Sequence, residues 1–153
     1  MKRILILSAA LLMMAMQLQA VSRIYSGNST YTSDIIATWD GKHLFRGNST
    51  YTSDILYTWN GRYLYAGNST YTSDIIATWD GRHLFEGNST YTSDIVATWD
   101  GHYIFGGNST YSADVLYTIT GKHIYRGRSS YTSDILYTIS GTVPIPVLVI
   151  ALF

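Results

Sequence analysis

The sequence predicts an all-β fold: a closed, shallow ring of six β-hairpins, about twelve strands, with a short apolar helix in its centre. Three observations carry this expectation. From Ile24 onward the chain repeats with an unbroken period of twenty residues, as in LFRGNSTYTSDILYTWNGRY from Leu44, and copies also begin at Leu64, Leu84, Ile104 and Ile124. Each copy places two short apolar runs around a turn signal such as Asp40-Gly41 or Asn60-Gly61, and none shows helical periodicity. The repeats open on half a hairpin, Arg23-Ile24-Tyr25-Ser26, and close on the other half, Asp134 to Ile139. Pairing these halves completes the sixth hairpin and hides both sheet edges, which an open stack would leave unprotected.

Taken in order, residues 1–20 carry the pattern of a secretory signal peptide cleaved after Ala20: Lys2 and Arg3, then an apolar run from Ile4 to Met16, then Leu18-Gln19-Ala20. That run is shorter than the roughly 20 residues a spanning helix needs. Residues 21–142 form the six-repeat domain. In the first full hairpin, strand one is expected at Ile35–Trp39 and strand two at Lys42–Arg46, around a two-residue Asp40-Gly41 turn. This register pairs Thr38 with His43 and Ile36 with Phe45 on one face, and Trp39 with Lys42 and Ala37 with Leu44 on the other. The Ile36/Phe45 face is expected to line the interior, because position 46 changes freely between copies as a solvent site does. The Gly-Asn-Ser-Thr-Tyr-Thr-Ser-Asp segments between hairpins read as turns. The last segment, 143–153, is apolar on every side. Pro144 and Pro146 suit a first helical turn and not a strand ladder, so a helix from about Pro144 to Phe153 is expected to plug the ring.

Composition narrows function by exclusion. The chain has no cysteine, so disulfides, thiolate metal sites and cysteine nucleophiles are ruled out. Formal net charge is zero, and removing residues 1–20 takes Lys2 and Arg3 and leaves eight basic residues against ten acidic. That balance argues against a nucleic-acid partner. No nucleophile elbow, phosphate loop or zinc-protease helix is present. Repetition itself weighs against catalysis, since an active site needs unlike groups converging where these copies hold like groups apart. No enzymatic activity and no cofactor are therefore expected.

The segments Gly-Asn-Ser-Thr-Tyr-Thr-Ser-Asp-Ile at 47–55 and Ser-Asp-Ile-Leu-Tyr-Thr-Ile-Ser-Gly at 133–141, with the hydrophobic tail, resemble β-flower proteins of the bacterial five-fold type. The resemblance covers residues 23–153. It implies a rotationally symmetric ring of hairpins with an apolar centre, broadly similar to tubby-like barrels, and brings no established activity with it.

Four sets of repeated residues are chemical candidates. Trp39, Trp59, Trp79 and Trp99 stand beside the hairpin turns and could stack on sugar rings, with repetition supplying avidity. Packing is the simpler account, because Ile119 and Ile139 replace them in the last copies. Asp34, Asp54, Asp74, Asp94, Asp114 and Asp134 recur in every copy. Acceptance of backbone N–H bonds at the strand start explains them better than calcium, whose oxygen ligands must converge. His43, His83 and His123 alternate with Tyr63 and Tyr103, which suits a half-buried wall position better than a metal site. The tyrosines at 31, 51, 71, 91, 111 and 131 are read as packing elements with a surface hydroxyl. The expectation is an exported, monomeric, non-catalytic module of the cell envelope, periplasm or medium. Its expected partner is a lipid or the membrane surface, with carbohydrate at the tryptophans as the alternative.

Overall fold

A computed structural model describes residues 20–152; the expected leader before Ala20, and Phe153, lie outside the described residues. The strands close into one antiparallel barrel in which each neighbours the next in sequence and β1 meets β12. The strands are β1 Ser22–Ser26, β2 Ile35–Trp39, β3 His43–Arg46, β4 Ile55–Trp59, β5 Tyr63–Ala66, β6 Ile75–Trp79, β7 His83–Glu86, β8 Ile95–Trp99, β9 Tyr103–Gly106, β10 Val115–Thr120, β11 His123–Arg126 and β12 Ile135–Ser140, followed by α1 Ile145–Leu152. The ring closure follows the same register as every hairpin: Ile24 stands opposite Ile139 as Leu44 stands opposite Trp39. The Gly27 N–H donates to Leu136 O as the Gly47 N–H donates to Ile36 O.

The hairpin turn sits one residue later than expected. The Asp40 N–H donates to His43 O, making Gly41-Lys42 the two central residues. Gly41 has φ +101°, and among the described residues none other than glycine has positive φ. A turn that wants glycine at its first central position fits here; one needing positive φ at Asp40 as well does not. The partners shift by two, so Thr38 faces Phe45 and Trp39 faces Leu44. An even shift leaves each side chain on its original face.

The interior face is the reverse of the one expected. Ile24, Leu44, Leu64, Leu84, Ile104 and Ile124 are all fully buried in one cluster with Ala37, Trp39 and the helix residues Val147, Leu148 and Val149. Phe45, Phe85 and Phe105 are buried too, but on the outside. The turn segments form a second layer over them: Thr110 and Ser112 share a cleft with Phe105 and Tyr103. Two of the segments also reach the repeat before them. The Arg23 Nε–H donates to Asn48 Oδ1 at 3.3 Å, and the Arg128 guanidinium lies 5.3 Å from the Tyr103 ring centre. Thr38, on the same outer face, is 1% exposed and donates to Gly47 O at 2.8 Å. Alternation alone could not distinguish a face lining the core from a face roofed by loops.

Each junction between hairpins carries a bulge, with one extra residue at the Ile36, Leu56, Ile76, Val96, Leu116 and Leu136 positions. A bulge adds twist and curvature, which a ring this small needs to close. After β12 the chain turns inward at Gly141, whose φ is +87°. A Cβ there would lie 2.3 Å from Ser22 Oγ, so only glycine fits. Ser22 Oγ donates to Thr142 O and accepts the Thr142 N–H, at 3.0 and 2.9 Å. The helix then runs up the barrel as expected, over Ile145–Leu152, with Pro146, Val147, Leu148 and Val149 buried.

Candidate functional site

The tryptophans point inward at the hairpin end of the barrel. Trp39 is 4% exposed and belongs to the core; Trp59, Trp79 and Trp99 are half-buried and pack against it. The packing account is therefore right for Trp39. Trp79 and Trp99 each keep an accessible edge in a cleft between neighbouring turns. One cleft of 520 Å³ is lined by Gly61, Arg62, Trp79, Asp80 and Gly81. The next, 470 Å³, is lined by Gly81, Arg82, Trp99, Asp100 and Gly101. A backbone bond fixes each pairing: the Trp59, Trp79 and Trp99 N–H groups donate to Lys42, Arg62 and Arg82 O, each at 2.8 Å.

The turn carboxylates at this end are occupied. Asp40 Oδ1 accepts the Lys42 and His43 N–H groups at 2.8 and 2.6 Å, and Oδ2 lies 3.1 Å from His43 Nδ1. Partial burial pushes this carboxyl up, but the two backbone donors and the His43 ring outweigh it and hold it below its usual range. Asp80 has the same partners in Arg82 and His83 and the same net direction. The half-buried wall position expected for His43, His83 and His123 is where they stand. No group of three or more His, Cys, Asp or Glu able to hold a metal occurs among the described residues.

The backbone N–H donors expected at the Asp34-type residues are not what these carboxylates bind: serine hydroxyls donate to them instead. Asp54 Oδ2 accepts the Ser49 hydroxyl at 2.5 Å, and that same hydroxyl accepts the Tyr51 N–H at 3.1 Å. The clamp recurs with Ser29 and Asp34 and with Ser109 and Asp114. At Asp94 the hydroxyls of Ser89 and Ser93 hold the carboxyl below its usual range. The tyrosines between these clamps are not packing elements. Tyr31, Tyr51, Tyr71, Tyr91 and Tyr131 are 75% exposed and Tyr111 77%.

A site the sequence reading missed lies where the helix meets the barrel wall away from the hairpin turns. A cleft of 370 Å³ is lined by Ile76, Ala77, Leu84, Phe85, Val96, Val149 and Ile150, with Glu86 at its side. Its origin is one inward position. Tyr57, Tyr117 and Tyr137 pack against the core there, whereas Ala37, Ala77 and Ala97 hold the same position in the other copies. At Ala77 the missing ring leaves the space. The signal was present in the repeats as an Ala/Tyr exchange, but it had no meaning until the inner face was known. No helix among the described residues is long and apolar enough to cross a membrane.

Comparison with the curated proteins and with the solved structures finds no significant match. The family model described as 6-fold beta flower protein matches residues 24–148. The resemblance to β-flower proteins was therefore sound and its five-fold label wrong, since six hairpins close this ring. The chain belongs to the 6-fold beta flower protein family.

Proposed function

We propose that this chain is an exported, non-catalytic binding module that holds an apolar ligand, such as the acyl chain of a lipid, between its central helix and barrel wall. The observation that carries the reading is the cleft beside Ala77. Its 370 Å³ falls at the small end of the roughly 300–1,000 Å³ usual for ligand sites. Its lining is aliphatic and aromatic apart from Glu86. Val96, at the cleft, leaves 38% of its surface exposed, which gives an apolar chain a way in from solvent. Export rests on the leader-like start of the sequence, and absence of catalysis on the lack of converging unlike groups.

The test uses the chain's own variation. Ala77→Tyr installs the residue that Tyr57, Tyr117 and Tyr137 already place at this position, so the fold accommodates it. A fluorescent fatty acid titrated into the wild type should bind saturably, and Ala77→Tyr should weaken it at least tenfold with an unchanged melting temperature. Equal binding by both proteins, or no binding by either, overturns the reading.

A further inference from the structure

We infer that the hairpin end of the barrel is a recognition face for an acidic oligosaccharide, bound along the arc of Trp59, Trp79 and Trp99. The inference is independent of the apolar cleft, which lies away from the hairpin turns and shares no residue with this arc. Its first support is a charge pattern. The second central residue of each hairpin turn is Lys42, Arg62, Arg82, His102 or Lys122, basic in every hairpin closed by a turn, and all five are exposed. The acidic residues beside them, by contrast, are tied into the turns, as Asp40 and Asp80 are by backbone donors. The carboxylates keep their charge but are held in the turn backbone, whereas the exposed side chains of Lys42, Arg62, Arg82 and Lys122 reach outward and outnumber Asp40, Asp80 and Asp100.

The second support is the pairing of cation and indole. Trp79 shares a cleft with Arg62 and Trp99 shares one with Arg82, the basic tips of the preceding hairpins, and the same backbone bond sets Trp59 against Lys42. Arg62 is further steadied over the Tyr63 ring, 5.4 Å from its centre. Each cleft thus joins an apolar ring edge, a cation, a carboxylate with remaining acceptor capacity and glycine backbone. A sugar uses all four: its C–H face packs on the indole, its hydroxyls bond the carboxylate and backbone, and its acidic group pairs with the guanidinium. A polyphosphate strand has no C–H face to lay on an indole, and its charge on every unit asks for a basic excess this chain lacks.

The third support is where the symmetry breaks. The three usable pairs are consecutive, Lys42 with Trp59, Arg62 with Trp79 and Arg82 with Trp99. In the next two junctions Ile119 and Ile139 follow His102 and Lys122. The sixth junction pairs the buried Trp39 with Ser22 in place of a cation. Half the rim therefore carries adjacent, similarly oriented subsites, the arrangement that suits successive units of one linear chain and gains from linkage.

The chain again supplies the substitutions. Trp79→Ile and Trp99→Ile copy the residues at 119 and 139, and Arg62→Ser with Arg82→Ser copies Ser22. Titration with polygalacturonate oligomers, neutral glucan oligomers and polyphosphate should show binding of the first alone. The double Trp variant should lose at least tenfold in affinity. The double Arg variant should lose a similar factor together with its salt dependence. Polyphosphate binding as tight as the uronate, binding unchanged in the Trp variant, or no uronate binding overturns the inference. Ala77→Tyr should leave uronate binding intact, so failure here and failure at the apolar cleft are distinguishable.

Discussion

Asp40 and Asp80 each organise a turn with one carboxylate, and Asn60 shows which part of that work needs charge. Asn60 Oδ1 accepts the Arg62 and Tyr63 N–H groups at 3.0 and 2.7 Å, so the amide keeps the backbone bonds and gives up the ionic contact to a ring nitrogen. Both aspartates titrate below their usual range when folded. A depressed carboxyl contributes stability in full above its unfolded value, about 4, and loses it as pH falls through the folded value. The Asp40→Asn, Asp80→Asn double variant should therefore melt about 2–4 °C below wild type at pH 7. The gap should narrow as both are acidified below the unfolded value, about 4, and close once the pH is below the folded values. A gap that stays constant over that range would show that charge on these side chains is irrelevant. At this scale the sequence was informative where a residue's own backbone preference decides the outcome: the Asp-Gly signal placed the turn to within one residue. It was silent where a neighbour decides. The exposure of Tyr51 follows from the Ser49–Asp54 clamp holding the segment over its neighbours, and nothing in Tyr51 itself records that.

Among the elements, the helix was the most legible, because two prolines and an unbroken apolar run leave few alternatives in a chain of short strands. Its surroundings were not legible. The wall it packs against is built from Ala37, Leu44, Trp39 and their equivalents, and the sequence reading put those positions outside. The roof of turn segments makes both faces of each strand apolar, so strand patterning alone carries no direction. With the interior settled, the role of the tail can be tested. Leu148 is 2% exposed, and Leu148→Ala should cost about 2–5 kcal/mol in a urea titration, the usual range for a buried leucine. Deleting residues 143–153 removes the whole filling and should lower the melting temperature much further or produce aggregation through the opened centre. A truncated chain that keeps the full melting temperature would show that the barrel stands without its plug.

The whole molecule is a ring because every junction is the same junction. The Thr38 hydroxyl donates to Gly47 O in the next copy, and Thr138 donates to Gly27 O across 111 residues, both at 2.8 Å. Six equal copies without insertions made this legible, since one operation applied repeatedly must either close or leave two edges. The two half-hairpins at the ends decided between them. What repetition concealed is where the copies differ: Ala77 against Tyr57, and Trp99 against Ile119, are small exchanges in near-identical units, yet they create the apolar cleft and bound the indole arc. Closure has an energetic consequence that separates a ring from an open stack. In a stack, damage at one end frays that end, because each repeat depends only on its neighbours. In a ring, β1 is as central as β6, and its Ile24 pairs with Ala37 on one side and Ile139 on the other. Ile24→Pro removes a ladder donor and puts a rigid ring between two paired strands. Amide hydrogen exchange in this variant should lose protection throughout, including β6 and β7 on the opposite side of the barrel. If β5 to β8 kept wild-type protection while only β1, β2 and β12 exchanged faster, the seam would be a local contact and the barrel a stack that merely meets its own end.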